Sequence, residues 1–356
     1  MSGSSLDGLD IAFTEFHENG GKWTFHILEA ECYDYPEEWT ERLRNATSLS
    51  ALDYQLLHAE YGHYLGEQVN RFIHEKNLNY KVALISSHGH TTFHHPGKRM
   101  TAQLGDGAAI AAETRLPVIS DLRAMDVAFG GQGAPIVPIG ERVLLSQYHY
   151  FLNIGGIANV SANVKEYIAF DVCAANRVLN ILAKDLAKDY DAGGELASKG
   201  KIDQELLDKL NSLDYYSKPW PKSLANEFGT ETVMDIIRER GLDPHDSLRT
   251  YAEHIALQVK NAVARLRAGH SEENQEMLVT GGGAYNSFLM KRLKMLLGEL
   301  GVAVMVPDEK LIEFKEAMIM AFIGVLRWRE EYNVLSSVTG SKRNSVGGAL
   351  WLGVDG

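Results

Sequence analysis

Met1-Ser2-Gly3-Ser4-Ser5-Leu6-Asp7-Gly8-Leu9-Asp10 leads directly into Ile11-Ala12-Phe13-Thr14-Glu15-Phe16, which alternates in the strand manner. Small, hydroxylated and acidic residues next to a strand make a turn whose backbone N–H groups and Ser hydroxyls can face phosphate oxygens. Asp7 suits a hydrated metal at such a turn. The same ten residues also read as a polar terminal tail. What weighs for the turn is company, because further Gly-rich or acidic turns follow, each after a strand-like run. The second half opens alike: Tyr150-Phe151-Leu152-Asn153-Ile154 reads as a strand, Gly155-Gly156 as a turn and Ala158-Asn159-Val160-Ser161 as a second strand. A strand–turn–strand unit thus opens each half, at 2–16 and 151–161, and α/β alternation follows each. This weak duplication predicts two related α/β halves with a ligand cleft between them.

The rest of the chain keeps this grammar. Residues 23–32 alternate as a strand. Residues 48–76 carry helical spacing, with Leu52, Leu56, Tyr61, Leu65, Val69 and Phe72 on one predicted face. Val82-Ala83-Leu84-Ile85 is a buried-strand run ending in Ser86-Ser87-His88-Gly89-His90-Thr91-Thr92. A helix is expected at 105–114 and a strand at 117–119. Further strands are expected at 166–170, 276–279 and 302–306, and helices at 176–186, 247–267, 287–297 and 316–329. The polar stretch 188–221 reads as loops. Gly and Pro at 133–139 place the boundary there, giving domains 1–135 and 136–356, with the C-terminal helix able to pack back on the first.

Composition bounds the function. A chain of 356 residues exceeds the usual single core, so two domains are expected. The formal charge of −12 argues against nucleic acid as main partner, since phosphate backbones recruit Lys/Arg-rich faces. ATP remains compatible, held by backbone N–H groups and a metal. Two Cys cannot build a disulfide framework. No run of 18 apolar residues and no basic, apolar leader opens the chain, so a cytoplasmic protein off the membrane is expected.

Several constellations carry chemistry. Gly155 and Gly156, with Asn159 following, read as a hairpin or as a second phosphate turn. Thr280-Gly281-Gly282-Gly283-Ala284-Tyr285-Asn286 links strand to helix, and its glycines would let a base or phosphate approach the backbone. Asp171 follows the apolar run Ile168-Ala169-Phe170. It reads as a general base at a strand's C-terminal end or as a cap of the next helix. Arg123 lies between Asp121 and Asp126, as a structural ion-pair cluster or as a fork for a sugar hydroxyl or carboxylate. His88, His90, His94 and His95 lack zinc spacing and read as a hydrogen-bonding wall. Lys315-Glu316 reads, taken alone, as a solvated first turn.

Together these motifs resemble the anhydro-N-acetylmuramic acid kinases of the sugar kinase/heat-shock protein 70/actin superfamily. The resemblance runs nearly end to end, through MSGSSLDGLD at 1–10, SHGHTTFHHP at 87–96, SDLRAMDVAFGGQGAPIVP at 120–138, NIGGIAN at 153–159, PKSL at 221–224, TGGGAYN at 280–286 and KEA at 315–317. It implies two ribonuclease-H-like domains of the actin-like ATPase type. It implies ATP and Mg2+ as cofactors. It implies a kinase that opens the 1,6-anhydro bond of a recycled cell-wall sugar and phosphorylates O6. By the same match Asp171 activates water, and Gly3, Ser4, Ser5, Leu6, Asp7 and Gly8 contact ATP phosphates. Gly155, Gly156, Asn159, Gly281, Gly282, Gly283 and Asn286 would complete the nucleotide site. Thr91, Asp121, Arg123 and Glu316 would lie at the sugar. A homodimer is compatible with the sequence.

Three departures stand out. The family carries a hydrophobic strand ahead of the phosphate turn, and here the sequence opens at the Met of the motif, which predicts an unpaired sheet position. Ser4 replaces a Thr and keeps the hydroxyl. Val172-Cys173-Ala174-Ala175-Asn176 replaces a Thr-Gly-Pro-small-Asn run. These keep two alternatives open: a kinase for a different amino sugar, and a weakly catalytic sugar- or nucleotide-binding relative.

Overall fold

The computed structural model describes residues 1–3, 6, 8–163, 167–225, 227–267 and 274–353. Ser4, Ser5 and Asp7 lie outside the described residues. The chain forms two compact units, Ser146–Glu313 and a first unit that joins Met1–Leu145 to Phe314–Gly356. The expected boundary at 135 therefore moves to Leu145, and the second unit ends at Glu313 rather than at the C-terminus. The reason is packing: Pro138–Leu144 is a mostly buried helix, and the chain after Phe314 returns to the first unit.

The first unit opens with a hairpin, β1 (Leu9–Asn19) and β2 (Lys22–Tyr33), turning at Gly20-Gly21. Helices α1 (Glu37–Asn45) and α2 (Ala51–Glu75) follow. Ser50 caps α2 by accepting from Asp53 N at 3.2 Å. The buried stripe of α2 is Leu57, Tyr61, Tyr64, Leu65 and Phe72, while Leu52 and Leu56 are exposed. The predicted face is thus off by one position in its first two turns. Then come β3 (Ile85–Ser86), β4 (His90–His95), β5 (Met100–Leu104), α3 (Gly107–Thr114), β6 (Val118–Ser120), α4 (Ala124–Ala128) and α5 (Pro138–Leu144). Only the last residue of the run 82–85 is in a paired strand, because β3 has a neighbour on one side alone, β6.

The second unit holds β7 (Tyr150–Ile154), β8 (Ile157–Asn163), β9 (Tyr167–Ala174), α6 (Asn176–Lys184), α7 (Glu195–Lys199), α8 (Gln204–Asn211), α9 (Asp214–Ser217), α10 (Met234–Arg240), α11 (Pro244–Arg267), β10 (Gln275–Thr280), α12 (Ser287–Gly298) and β11 (Val302–Met305). Its sheet has the order β11-β10-β7-β8-β9. β7, β8 and β9 are antiparallel neighbours, and β10 and β11 add in parallel. That is the ribonuclease-H-like order. The stretch 188–221 is not plain loop: Leu206, Leu207, Leu210, Tyr215 and Tyr216 are buried and hold α8 and α9 on the core. Helix α11 lies over the sheet through Leu248, Tyr251, Ile255, Val259 and Val263, all buried at helical spacing.

The chain leaves the second unit within α13 (Glu309–Trp328), whose backbone is non-helical at Phe314. The first unit then ends with α14 (Ser336–Thr339) and β12 (Ala349–Trp351). β12 pairs antiparallel with β6. No helix among the described residues is long and apolar enough to cross a membrane.

Candidate active site

In the second unit, Asp171 lies within β9, three residues before the strand's end, rather than at its C-terminus. It faces Asn159 across the ladder, beside a bulge between Ala158 and Asn159. Its Oδ2 accepts from Leu224 N at 2.9 Å, its carbonyl accepts from Tyr215 Oη at 2.6 Å, and its N–H donates to Lys222 O at 3.2 Å. The segment 222–224 therefore straps the aspartate from outside the sheet. Lys222 is held in turn, with Nζ donating to Tyr215 O at 3.1 Å and sitting 4.5 Å from that ring's centre. Among the described residues Oδ1 takes no hydrogen bond. Burial raises the Asp171 carboxyl above its ordinary value, and the Leu224 bond offsets part of that. Asp171 does not cap α6, which begins without a side-chain cap.

Two glycine turns meet at the C-terminal ends of β7 and β10, the usual ligand end of parallel strands. They differ in why they are glycine. A Cβ on Gly155 would meet only Ile157 O, at 3.6 Å, and one on Gly156 only the Arg177 side chain, at 3.5 Å and beyond. Packing demands neither glycine, so both leave steric room for a ligand, while Gly155 N–H donates to Ile157 O at 3.2 Å and the two carbonyls accept from Asn176 N at 3.1 Å and Ala175 N at 2.8 Å. Gly281 is bound by structure: its φ is +80° and a Cβ would sit 2.4 Å from Asn153 Oδ1. A Cβ on Gly283 would lie 2.2 Å from Ile154 Cγ2. Only Gly282 of the three is open. Asn286 is turned to its own helix, capping α12 by accepting from Leu289 N at 2.9 Å. The changed run Val172–Ala175 is buried throughout.

In the first unit, Arg123 makes no ion pair with Asp121 or Asp126 among the described residues, which overturns the ion-pair cluster. Its Nε donates to His88 Nε2 at 2.9 Å and an Nη donates to Gly133 O at 2.8 Å. His88 Nδ1 donates to Gly89 O at 2.8 Å, which leaves Nε2 as the acceptor Arg123 needs. Burial and the adjacent Arg123 charge push His88 down to about 3, so it stays neutral. Asp126 is fully buried and organises the glycine loop, accepting from Gly133 N at 2.8 Å and Thr339 Oγ1 at 2.7 Å. Asp121 sits in the left-handed region (φ +55°), which Asp tolerates, and accepts from Ser120 Oγ at 3.1 Å. Thr91 accepts weakly from Gln103 at 3.4 Å. Glu316 is exposed and lies just past the Phe314 break, within α13 rather than at its head. Its charge acts on Arg123. The neighbouring Lys315 is buried in an ion pair with Glu141 at 2.9 Å.

The opening turn is anchored at its start. Ser2 is buried, accepts from Tyr35 Oη at 2.9 Å and lies 3.4 Å from His90 Nδ1. Gly8 is required by packing, since a Cβ would sit 2.6 Å from Cys32 Sγ. Sequence reasoning missed the roles of His88, Asp126, Tyr215 and Leu224. The available signal was the position of His88, Asp126 and Leu224 inside the quoted motifs.

The strand order of the second unit defines the ribonuclease-H-like class of α/β fold. The profile of the family described as anhydro-N-acetylmuramic acid kinase matches residues 1–353. A curated relative of that name from Francisella tularensis subsp. novicida is 32% identical over 370 residues, covering 98% of this chain and 97% of its own. Another, from Actinobacillus pleuropneumoniae serotype 7, is 34% identical over 359 residues, covering 96% and 95%. Among solved structures, the activator of the 2-hydroxyisocaproyl-CoA dehydratase from Clostridium difficile with bound ADPNP aligns at TM-score 0.37 and 18% identity, over 60% of this chain and 68% of its own. The chain belongs to the anhydro-N-acetylmuramic acid kinase family.

Proposed function

We propose that the protein is an ATP-dependent kinase that hydrolyses 1,6-anhydro-N-acetylmuramic acid and phosphorylates O6, giving N-acetylmuramic acid 6-phosphate in cell-wall sugar recycling. The observation that carries the chemistry is Asp171: a half-buried carboxylate with one oxygen fixed by Leu224 N–H and the other taking no hydrogen bond among the described residues. A base so held has one orientation for accepting a proton from water. In this reading the water oxygen bonds to C1, its proton passes to Asp171, and the C1–O6 bond breaks. O6 then takes the γ-phosphoryl group and ADP leaves.

The steric room at Gly155, Gly156 and Gly282 fits close approach by a nucleotide. Asn159 adds an amide on the strand beside Asp171. Asn286 is reassigned from ligand contact to helix cap, which positions the turn. Magnesium would supply charge neutralisation at the phosphates. Its assignment to Asp7 rests on the motif alone, as do the ATP contacts of Gly3, Ser4, Ser5, Leu6 and Gly8. Arg123, oriented by His88 and Gly133 O, has N–H groups left for the sugar, with Thr91, Asp121 and Glu316 on the same unit. The two thiols and the metabolic role fit a cytoplasmic protein, and a homodimer is the assembly we would look for.

The test is ADP release with ATP, magnesium and a panel of amino sugars. Turnover with the 1,6-anhydro sugar and little with the others supports the reading. Silence with that sugar overturns it, and turnover with another transfers the assignment to that sugar. The burial of Val172–Ala175 supports a core-packing role for the altered run rather than a new substrate choice.

A further inference from the structure

Helix α9 is a single turn, Asp214–Ser217, too short to hold itself. Side chains of α11 fix it in place. Arg265 Nη1 donates to Tyr216 O at 2.7 Å, and Tyr216 Oη donates to His254 Nε2 at 2.9 Å. His254 is fully buried, and burial pushes it down to about 3, so it is neutral. Its Nδ1 donates to Asn211 Oδ1 at 2.7 Å, which leaves Nε2 to accept from Tyr216. Gln258 Nε2 donates to the same Asn211 oxygen at 2.8 Å. Tyr215 and Tyr216 are both buried. Tyr215 therefore presents its ring and its carbonyl as a fixed platform beside β9.

The strap over Asp171 leans on that platform. Among the described residues, two hydrogen bonds of residues 221–224 end on Asp171 itself: its N–H donates to Lys222 O, and its Oδ2 accepts from Leu224 N. The bond that ends elsewhere is Lys222 Nζ to Tyr215 O, at 3.1 Å. Without it, polar contacts would leave the peptide that carries Leu224 N–H held by the carboxylate it serves.

Lys222 sits in a costly place for a lysine. It is half-buried and makes no ion pair among the described residues. Burial lowers its ammonium below the ordinary lysine range, and the charges of Arg265 and Lys218 push the same way. What offsets this is the Tyr215 carbonyl and two ring faces, Tyr215 at 4.5 Å and Phe170 at 5.6 Å from Nζ. Trp220, on the same segment, stacks on the Phe170 ring at 5.6 Å and 10°. The side chain is thus packed in one direction, along the rings to the end of α9.

We propose that Lys222 is a positioning residue for Asp171: it ties the strap to α9, which keeps Leu224 N–H on Oδ2 and fixes where Oδ1 points. Its effect on turnover rests on the reading of Asp171 as the base. The Leu224 bond favours the ionised carboxylate, so releasing the strap raises the Asp171 carboxyl further. Around that carboxyl, β8 offers the uncharged Asn159, α9 offers Tyr215, the strap offers Lys222, and β9 itself offers Cys173. Burial pushes Tyr215 and Cys173 up, so both stay neutral across the acid range, where Lys222 stays charged. The acid-range titration near the strap is therefore that of Asp171.

The test is Lys222→Met in the full chain, which keeps a straight side chain on the rings and removes the donor. Two readouts need neither ATP nor sugar: hydrogen exchange at the Leu224 amide, and the Asp171 carboxyl titration by carboxyl-carbon NMR, assigned by its absence from Asp171→Asn. Exchange at Leu224 should quicken about 10-fold, and the titration should move to higher pH. In turnover, kcat should fall about 10-fold with the KM for ATP unchanged, and its acid limb should move to higher pH with the titration. Lys222→Gln, one bond too short for the Tyr215 carbonyl, should act in the same direction, and it carries the test if the Met variant does not fold. A moved titration with unchanged exchange at Leu224 would show that Lys222 acts through its charge alone, which overturns the proposal. A fall in kcat with both NMR readouts at parent values would overturn it as well. Both NMR readouts moved, in a protein whose kcat has no acid limb, would support the positioning role and remove the base assignment.

Discussion

Asp171→Asn isolates the proton-accepting step from everything else the residue does. Asn is isosteric, and its Oδ1 can accept from Leu224 N as the carboxylate does at 2.9 Å. The backbone bonds to Tyr215 and Lys222 do not involve the side chain. The strap and β9 should therefore persist, and only basicity is lost. A positioned general base contributes about 10²–10⁴ in rate, or roughly 3–5.5 kcal/mol of barrier. The assay is ADP release at saturating ATP and sugar, beside ATP binding and thermal unfolding of the same preparation. The expected result is kcat lower by that factor with ATP affinity near the parent value. Stability adds a sign check. Burial raises the native carboxyl above its unfolded value, so ionisation is penalised in the fold and stability falls as pH rises through that window. The Asn variant should then unfold at the same temperature or higher at neutral pH, and the difference should vanish below the unfolded carboxyl's range. A kcat within a few-fold of the parent would refute the base, whatever the melting data.

The raised Asp171 carboxyl also predicts an acid limb in kcat above the ordinary Asp value of about 3.9, absent from the Asn variant; a profile flat down to that value would count against it. His88→Leu removes the acceptor of Arg123 Nε, so kcat/KM for the sugar should fall about 10- to 100-fold with the KM for ATP unchanged. Equal changes in both would show a general structural defect instead. Lys315→Met alone takes the ammonium away from buried Glu141 and should destabilise by about 3–5 kcal/mol, read by denaturant unfolding; adding Glu141→Leu should recover most of that. Gly155→Ala should leave the unfolding temperature near the parent and weaken ATP binding. Gly283→Ala should lower the unfolding temperature, because its Cβ would sit 2.2 Å from Ile154 Cγ2.

Much of this protein is set by local pattern. Period-two alternation placed β1 and β2, an apolar run flanked by turns placed β7 and β10, and 3.6-residue spacing placed α2. Turn chemistry located the glycine loops, since few residues other than Gly adopt a φ of +80° as Gly281 does. The family came from the resemblance of the quoted motifs, taken together, to those of known kinases. Sequence alone could not say which glycines serve packing and which leave steric room, because that depends on Ile154 and Asn153 from another strand. Nor could it say that Arg123 turns from its neighbouring aspartates to His88, 35 residues away. A desolvated guanidinium takes the acceptor that tertiary packing brings within reach, not the nearest in the chain. The same holds for the strap on Asp171, made by a backbone N–H 53 residues downstream. It holds too for the return of 314–353 to the first unit, which β12 achieves by pairing with β6. Local propensity is a property of a short window. Partners, burial and carboxyl basicity are properties of what long-range packing excludes from water, and those only the folded chain decides.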